Sequence, residues 1–178
     1  MATERLSTRG MIYASLFGAL TAMGALISIP LQPVPVTLQT LFLYLAGSLL
    51  GGGLGALSQT VYIMLGVIGL PVFSGGKAGL GVLMGPTGGY LVGFVAGAFV
   101  TGKIARLRPD GGLLWLVSAM LAGTAALYAL GVLQLALVGR LSPAKAAVAG
   151  VLPFLPGDAL KIAAASVIAL KVRDRIRI

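Results

Sequence analysis

Long apolar segments alternate along this chain with short segments rich in proline, glycine or charge. An apolar helix of about 20 residues, rising 1.5 Å per residue, is long enough to span a bilayer. The pattern predicts an all-α integral membrane fold, a six-transmembrane-helix bundle that forms a single membrane domain over residues 1–178. The predicted spans are residues 10–29, 38–50, 54–70, 85–104, 113–138 and 157–170. The second and third spans are short, so they need protein neighbours, upright placement or a thinned bilayer.

Two of the connecting segments have unusual composition. Residues 30–40 contain Pro30, Pro33 and Pro35, which prevent a helix and favour extended backbone. Residues 71–90 are rich in glycine, which lets backbone groups approach a ligand closely. Non-helical backbone near membrane depth is tolerated only where protein or an aqueous cavity satisfies its polar groups. The proline-rich segment is therefore interpreted either as a lid over a site or as a rigid connector.

Composition excludes several classes of function. The chain is 58% hydrophobic and only 10% charged, and it contains no histidine and no cysteine. A typical soluble domain has about 25% charged residues, so this composition indicates a membrane protein. Without histidine or cysteine, the commonest general base, thiolate nucleophile and metal ligands are missing. Lys77 lacks the glycine spacing and the following Ser or Thr of a P-loop. We therefore predict that the chain is not an enzyme and holds no metal and no cofactor.

The basic residues that give the net charge of +9 are distributed as a topology signal and do not form a nucleic-acid-binding face. Cations cluster at the chain ends and in one loop, as the positive-inside rule expects for cytoplasmic segments. Six spans place both termini on the same, cytoplasmic, side. The cations predicted to lie inside are Arg5, Arg9, Lys103, Arg106, Arg108, Lys171, Arg173, Arg175 and Arg177; those outside are Lys77, Arg140 and Lys145. The first apolar run is too long for a signal-peptide core and is interpreted as a membrane helix.

The segment PFLPGDALK contains a carboxylate and an ammonium, Asp158 and Lys161, within an otherwise apolar region. On a helix these two side chains share one face. Ionisable residues inside a membrane are expensive and are functional by default, although a structural ion pair is the alternative. In the predicted topology, Asp158 lies on the same outer side as the proline-rich and glycine-rich segments. This convergence favours an outward-facing site for a small molecule.

Neutral side chains near the same face complete the predicted site. Gln39, Thr37, Thr87 and Tyr90 offer polar contacts, and Phe73 and Tyr90 offer flat apolar walls. Such a pocket suits a compact, largely apolar molecule with a few fixed polar atoms. It does not suit a bare inorganic ion, because too few oxygen ligands converge.

The segments PLQPVPVTLQTLF, GLPVFSGGKAGLGVLMGPTGGYLVGF and LPFLPGDALK together resemble the BioY family. That family comprises the biotin-specific substrate-capture (S) subunits of energy-coupling-factor (ECF) transporters. The resemblance covers nearly the whole chain. It implies a six-helix bundle in a prokaryotic plasma membrane that binds biotin on its extracellular side. The implied partners are the lipid bilayer, a membrane coupling subunit and a pair of ABC-type ATPases, which this chain needs because it has no nucleotide-binding motif.

The resemblance also implies roles for individual residues. Asp158 and Lys161 are implied to contact biotin, and the proline-rich loop to cover it. Ser74, Lys77 or a backbone group of the SGGKAG loop is expected to add a polar contact. The thiophane ring fits Phe73, Val34 and Val36, whereas the carboxylate fits either Lys161 or Lys77. The small-residue stripe on the first helix serves either packing within the chain or, as the family implies, contact with the coupling subunit; it consists of Ala14, Gly18 and Ala22.

The residues by themselves leave two other functions possible. The first is an S component for a different vitamin, such as thiamine or riboflavin. Thiamine's cationic ring favours more acidic or aromatic residues than the single Asp158 offers. The second is a membrane assembly subunit without a ligand, in which replacing Asp158 and Lys161 would lower stability only. Binding measurements separate both functions from biotin capture.

Overall fold

The computed structural model describes residues 7–176. Two cations used to predict orientation, Arg5 and Arg177, lie outside the described residues, as do both ends of the predicted single domain. The helices in chain order are α1 (Thr8–Leu26), α2 (Gln39–Leu50), α3 (Gly52–Val67), α4 (Leu80–Met84), α5 (Gly88–Leu107), α6 (Leu113–Gly139), α7 (Pro143–Gly150) and α8 (Leu155–Val172), followed by a short 3₁₀ turn (Arg173–Arg175). Two short strands, β1 (Ser28–Ile29) and β2 (Val36–Thr37), pair antiparallel between α1 and α2.

The prediction of an all-helical fold is confirmed, apart from this one two-residue pair of strands. A helix lies at each of the six segments predicted as spans. Sequence patterning missed α4, inside the glycine-rich segment, and α7, before the proline-flanked start of α8. Both are short, with five and eight residues, and both lack the long apolar run on which the prediction relied.

Helix length and hydropathy identify fewer membrane spans than the sequence pattern predicted. Of the described helices, α5 and α6 are long and apolar enough to cross a bilayer by themselves. A third span arises if α7 and α8, which meet at a bend of 54°, are taken together. The helices α2 and α3 are apolar but shorter. The chain is therefore a membrane protein with two clear spans and up to three, and the count of six stays a prediction.

Glycines let α5 approach α6 closely. Gly93 and Gly97 of α5 face the backbone of α6, so that a Cβ on Gly93 would lie 2.7 Å from the carbonyl oxygen of Leu127. A Cβ on Gly97 would lie 3.0 Å from the carbonyl oxygen of Gly123. Small residues at such positions allow the backbones to pack where lipid provides little hydrophobic contrast. This contact places Leu127 and its neighbour Tyr128 beside the start of α5.

The small-residue stripe on α1 packs inside the chain. Ala14 is 1% exposed, and a Cβ on Gly18 would lie 2.9 Å from the carbonyl oxygen of Ser58 on α3. Ala22 is half-buried. The structure thus shows Gly18 packed against α3 and Ala14 buried within the chain. Contact between this stripe and a coupling subunit stays a prediction.

Candidate functional site

A cavity of about 480 Å³ opens at one end of the bundle. Its lining comes from the loop between α1 and α2, the loop before α4, and the starts of α2, α5 and α8, together with the middle of α6. These segments are distant in sequence. The volume falls within the usual range for small-molecule sites, about 300–1,000 Å³. The cavity is the natural candidate for ligand binding.

Asp158 and Lys161 lie at the inner wall of this cavity, on the first turns of α8. Pro156 is accommodated at the start of that helix, where a backbone N–H has no intrahelical acceptor. The Lys161 ammonium lies 2.6 Å from Asp158 Oδ1, and the residues are only 8% and 4% exposed. A carboxylate in the first helical turn is also favoured by the helix dipole. The ion pair predicted from sequence spacing is thus formed and buried.

Three donors converge on the Asp158 carboxylate. The Thr40 hydroxyl donates to Oδ1 over 3.1 Å, and Lys161 lies against the same oxygen. The Tyr128 hydroxyl donates to Oδ2. A carboxylate has about four acceptor positions, so one position on Oδ2 is left. The network joins α2, α6 and α8 at one charged group.

The Lys161 ammonium uses all three of its N–H groups within the protein. Besides Asp158, it donates to the backbone carbonyl of Thr37 at 3.0 Å and to the Thr40 hydroxyl at 2.7 Å. An ammonium has three donors and no acceptor. A ligand group reaches Lys161 only by displacing one of these partners.

Three aromatic rings form one wall of the cavity. Tyr90, Tyr128 and Phe154 lie at the corners of a triangle, with ring centroids 6.4–6.5 Å apart. The Tyr90 hydroxyl donates to the carbonyl oxygen of Gly150 at the end of α7, over 2.8 Å. Tyr90 therefore offers its ring to the cavity, while its hydroxyl is occupied by backbone.

The outer part of the lining is basic and polar. Phe73 is buried, and its N–H donates to the carbonyl oxygen of Lys77, which closes a tight loop through Gly75 and Gly76. Both glycines have left-handed φ angles, 75° and 69°, which other residues rarely adopt. Within residues 7–176, neither the Ser74 hydroxyl nor the Lys77 ammonium has a hydrogen-bond or ion-pair partner. This loop thus presents an unpaired cation at the cavity.

The structure brings most of the predicted site residues together. Those that line the cavity are Asp158, Lys161, Tyr90, Thr87, Phe73, Ser74, Lys77, Gln39, Thr37 and Val34. Val36 is half-buried outside the lining; its Cγ1 would be 3.9 Å from a Cβ on Gly157. The Gln39 side chain is already engaged, since it accepts from the Thr37 hydroxyl and donates to the Tyr62 hydroxyl.

Sequence reasoning missed Thr40, Tyr128 and Phe154. Thr40 and Asp158 are 118 positions apart, so no local spacing indicates their contact. Tyr128 lies within a long apolar run, where a tyrosine is indistinguishable from an ordinary packing residue. Phe154 could have been found, because it precedes Asp158 in the same proline-flanked segment. Between residues 7 and 176, no three carboxylate, histidine or cysteine side chains are grouped so that they could hold a metal ion.

Comparison with known proteins identifies the family. The chain matches the sequence profile of the BioY family over residues 1–178. This chain belongs to the BioY family. A BioY family relative from Thermotoga maritima, named biotin transporter BioY, is 44% identical over 165 residues, which cover 93% of this chain and 96% of the relative. A second biotin transporter BioY, from Rhizobium etli, is 43% identical over 173 residues, with 92% of each chain covered.

A solved structure has the same fold as this BioY family chain. It is the crystal structure of the S-component for biotin from an ECF-type ABC transporter. The two structures superpose with a TM-score of 0.85, covering 98% of this chain and 95% of the other, at 26% sequence identity. The resemblance drawn from the three sequence segments is thereby confirmed at the level of the family.

Proposed function

We propose that this chain is the substrate-capture subunit of a biotin uptake transporter and binds biotin in the cavity beside Asp158. The matched relatives are biotin transporters and the matched structure is a biotin S-component, neither of which is an enzyme. The observation that carries the proposal within this chain is the buried Asp158 carboxylate, which has three protein donors and one acceptor position left.

Biotin's three chemical parts correspond to the three regions of the cavity. Its ureido group offers N–H donors to the remaining position on Asp158. Its thiophane ring is apolar and suits the aromatic wall, together with Phe73 and Val34. Its carboxylate requires a cation. Pockets of this kind combine apolar walls with a few fixed polar groups.

The hydrogen-bond inventory favours Lys77 over Lys161 as the partner of the carboxylate. All three N–H groups of Lys161 are used by Asp158, Thr37 and Thr40. Breaking one of those bonds would leave a buried polar group unsatisfied, which costs about 1–3 kcal/mol. In the described part of the chain, Lys77 and Ser74 have no such commitments. The ureido end accordingly lies inward and the carboxylate lies near the loop of residues 73–77.

The proposed setting is a prokaryotic plasma membrane crossed six times by a single membrane domain, with both termini cytoplasmic. Six helices of 12 to 27 residues lie at the predicted spans, which supports this count. The shorter helices α2 and α3 are apolar and pack against neighbours, which suits spans that are short for a bilayer. The bias of Lys and Arg supports the orientation. The cavity then faces the outside.

The proposed partners are a membrane coupling subunit and two ABC-type ATPases. The likeness to an S-component of an ECF-type ABC transporter supports this assignment. The chain carries no P-loop motif, so ATP must be hydrolysed by another subunit. On α1, the residues available to a partner are those on the face opposite Ala14 and Gly18, where Leu16 and Met23 are exposed.

Equilibrium binding of labelled biotin to the purified protein in detergent tests the proposal. We expect saturable one-to-one binding that thiamine and riboflavin do not displace. Displacement by either vitamin would reassign the substrate to that vitamin. A folded protein that binds none of the three would instead be an assembly subunit, and the capture function would be wrong.

A further inference from the structure

Among the described residues, the Tyr128 hydroxyl is the one donor to Oδ2 of the Asp158 carboxylate. Thr40 and Lys161 both donate to the other oxygen, Oδ1. Hydrogen bonds from neutral hydroxyls to a carboxylate are charge-assisted and strongly directional. The carboxylate is therefore held on both oxygens, by side chains from two other helices. Its plane cannot rotate without breaking at least one of these bonds.

The Tyr128 ring is itself held in place. It packs edge-on against Tyr90, with centroids 6.4 Å apart and planes at 83°, and lies 6.4 Å from Phe154. Tyr90 is anchored in turn by its hydrogen bond to the carbonyl oxygen of Gly150. Edge-to-face contacts of this kind restrict ring orientation. The aromatic triangle thus fixes where the Tyr128 hydroxyl lies.

From this geometry we infer that Tyr128 and Thr40 are positioning residues, which orient the Asp158 carboxylate and leave it a single acceptor position for one ligand N–H. The inference rests on the proposed function and adds a determinant of specificity to it. Tyr128 occupies the position on Oδ2 that a second ligand donor would need. A cyclic urea has one N–H on each side of its carbonyl group, so it can donate one N–H to the single open position on Asp158. A guanidinium or amidinium, which pairs with both carboxylate oxygens, would also need a position on Oδ1 and would have to displace Thr40 or Lys161.

The first test is a double-mutant cycle on biotin affinity with Tyr128→Phe and Asp158→Asn. Residues that act through one another give non-additive effects, whereas independent sites add. We expect Tyr128→Phe alone to weaken biotin binding about tenfold, and the double variant to bind no more weakly than Asp158→Asn. The matched control is Tyr90→Phe, which removes a hydroxyl from the same aromatic triangle, although that hydroxyl bonds to Gly150 and not to Asp158. Its effect should add to that of Asp158→Asn.

The second test measures specificity with 2-iminobiotin, in which a guanidinium replaces the urea. Thr40→Val frees one acceptor position on Oδ1 beside the open position on Oδ2, so the affinity for 2-iminobiotin relative to biotin should rise at least several-fold in this variant. A merely structural loss would lower both affinities in the same proportion. If Tyr128→Phe does not fold, the double-mutant cycle on biotin affinity can be measured with Thr40→Val, which removes a donor to Oδ1 of Asp158.

The outcomes separate the two proposals. Wild-type protein that binds no biotin overturns the capture function and this inference with it. Wild-type binding with additive losses for Tyr128→Phe and Asp158→Asn, or a ratio of 2-iminobiotin to biotin affinity that is unchanged in Thr40→Val, overturns the positioning role alone. Non-additive losses with a raised ratio support it.

Discussion

The Lys161 ammonium donates to the backbone carbonyl of Thr37, 3.0 Å away and 124 positions earlier in the chain. Thr37 belongs to β2, which ends the proline-rich segment, while Lys161 lies on the last helix. The same ammonium pairs with Asp158. One buried charge therefore links the end of the loop over the cavity to the carboxylate inside it.

Asp158→Asn should weaken biotin binding by about 2–3 kcal/mol, or roughly 30- to 150-fold, because the ligand N–H loses a charged acceptor. Removing one member of a buried ion pair should also lower stability, by up to about 3–5 kcal/mol. Equilibrium binding and thermal unfolding in detergent measure the two effects. An affinity within about twofold of wild type would exclude Asp158 as a biotin contact.

The double variant Asp158→Asn/Lys161→Met separates binding from structural ion pairing. Removing both charges leaves no uncompensated buried charge, so the double variant should be more stable than Asp158→Asn alone. Biotin binding should stay as weak as in Asp158→Asn. If stability and binding recovered together, the pair would be structural, and the ligand contact would lie elsewhere in the cavity.

Lys77→Gln should weaken binding of biotin about tenfold or more, because the ligand carboxylate loses its cation. Biotin methyl ester has no carboxylate charge, so its affinity should change little in this variant. Lys103→Gln provides a matched control, since Lys103 is also an exposed lysine but lies over the ring of Phe99, away from the cavity lining. Equal losses for biotin and its ester would show that Lys77 does not bind the carboxylate.

Gly93→Ala should destabilise the fold by about 1–3 kcal/mol, because the added methyl group meets the backbone of α6 at 2.7 Å. The shift of α6 would also move Leu127 and Tyr128, so biotin binding should weaken. Gly81→Ala is the matched control: nothing lies within 4 Å of its added Cβ. Thermal unfolding of both variants provides the comparison. Equal unfolding temperatures would contradict the close α5–α6 packing.

Single cysteines test the six-span topology, because the natural sequence contains none. Gly112→Cys lies in the α5–α6 loop, where a Cβ has open space, and Ala144→Cys lies on an exposed face of α7. An impermeant thiol reagent added to intact cells should label Ala144→Cys only. Disrupted cells should show labelling at both positions, which controls for reactivity. Labelling of Gly112→Cys in intact cells would show that the predicted orientation is wrong.

The amino-acid sequence by itself determined the class of fold and the chemistry of the site. Six apolar segments are enough to predict helices, since a membrane helix satisfies its own backbone hydrogen bonds whatever its neighbours do. Asp158 and Lys161 were identifiable because charges in an apolar region are costly and their spacing places them on one helix face. The three family segments, with their prolines, glycines and charges, indicated the BioY family from the sequence alone.

Only the tertiary structure decided how those charges are used. The pairings of Asp158 with Thr40 and Tyr128, and of Lys161 with Thr37, join residues up to 124 positions apart, and no local pattern encodes such distances. The use of the Ala14 and Gly18 stripe was likewise open in the sequence, because small residues permit close approach by any helix. The fold places Gly18 against α3 and gives every Lys161 N–H a partner. Among the described residues that line the cavity, Lys77 is then the cation without a partner.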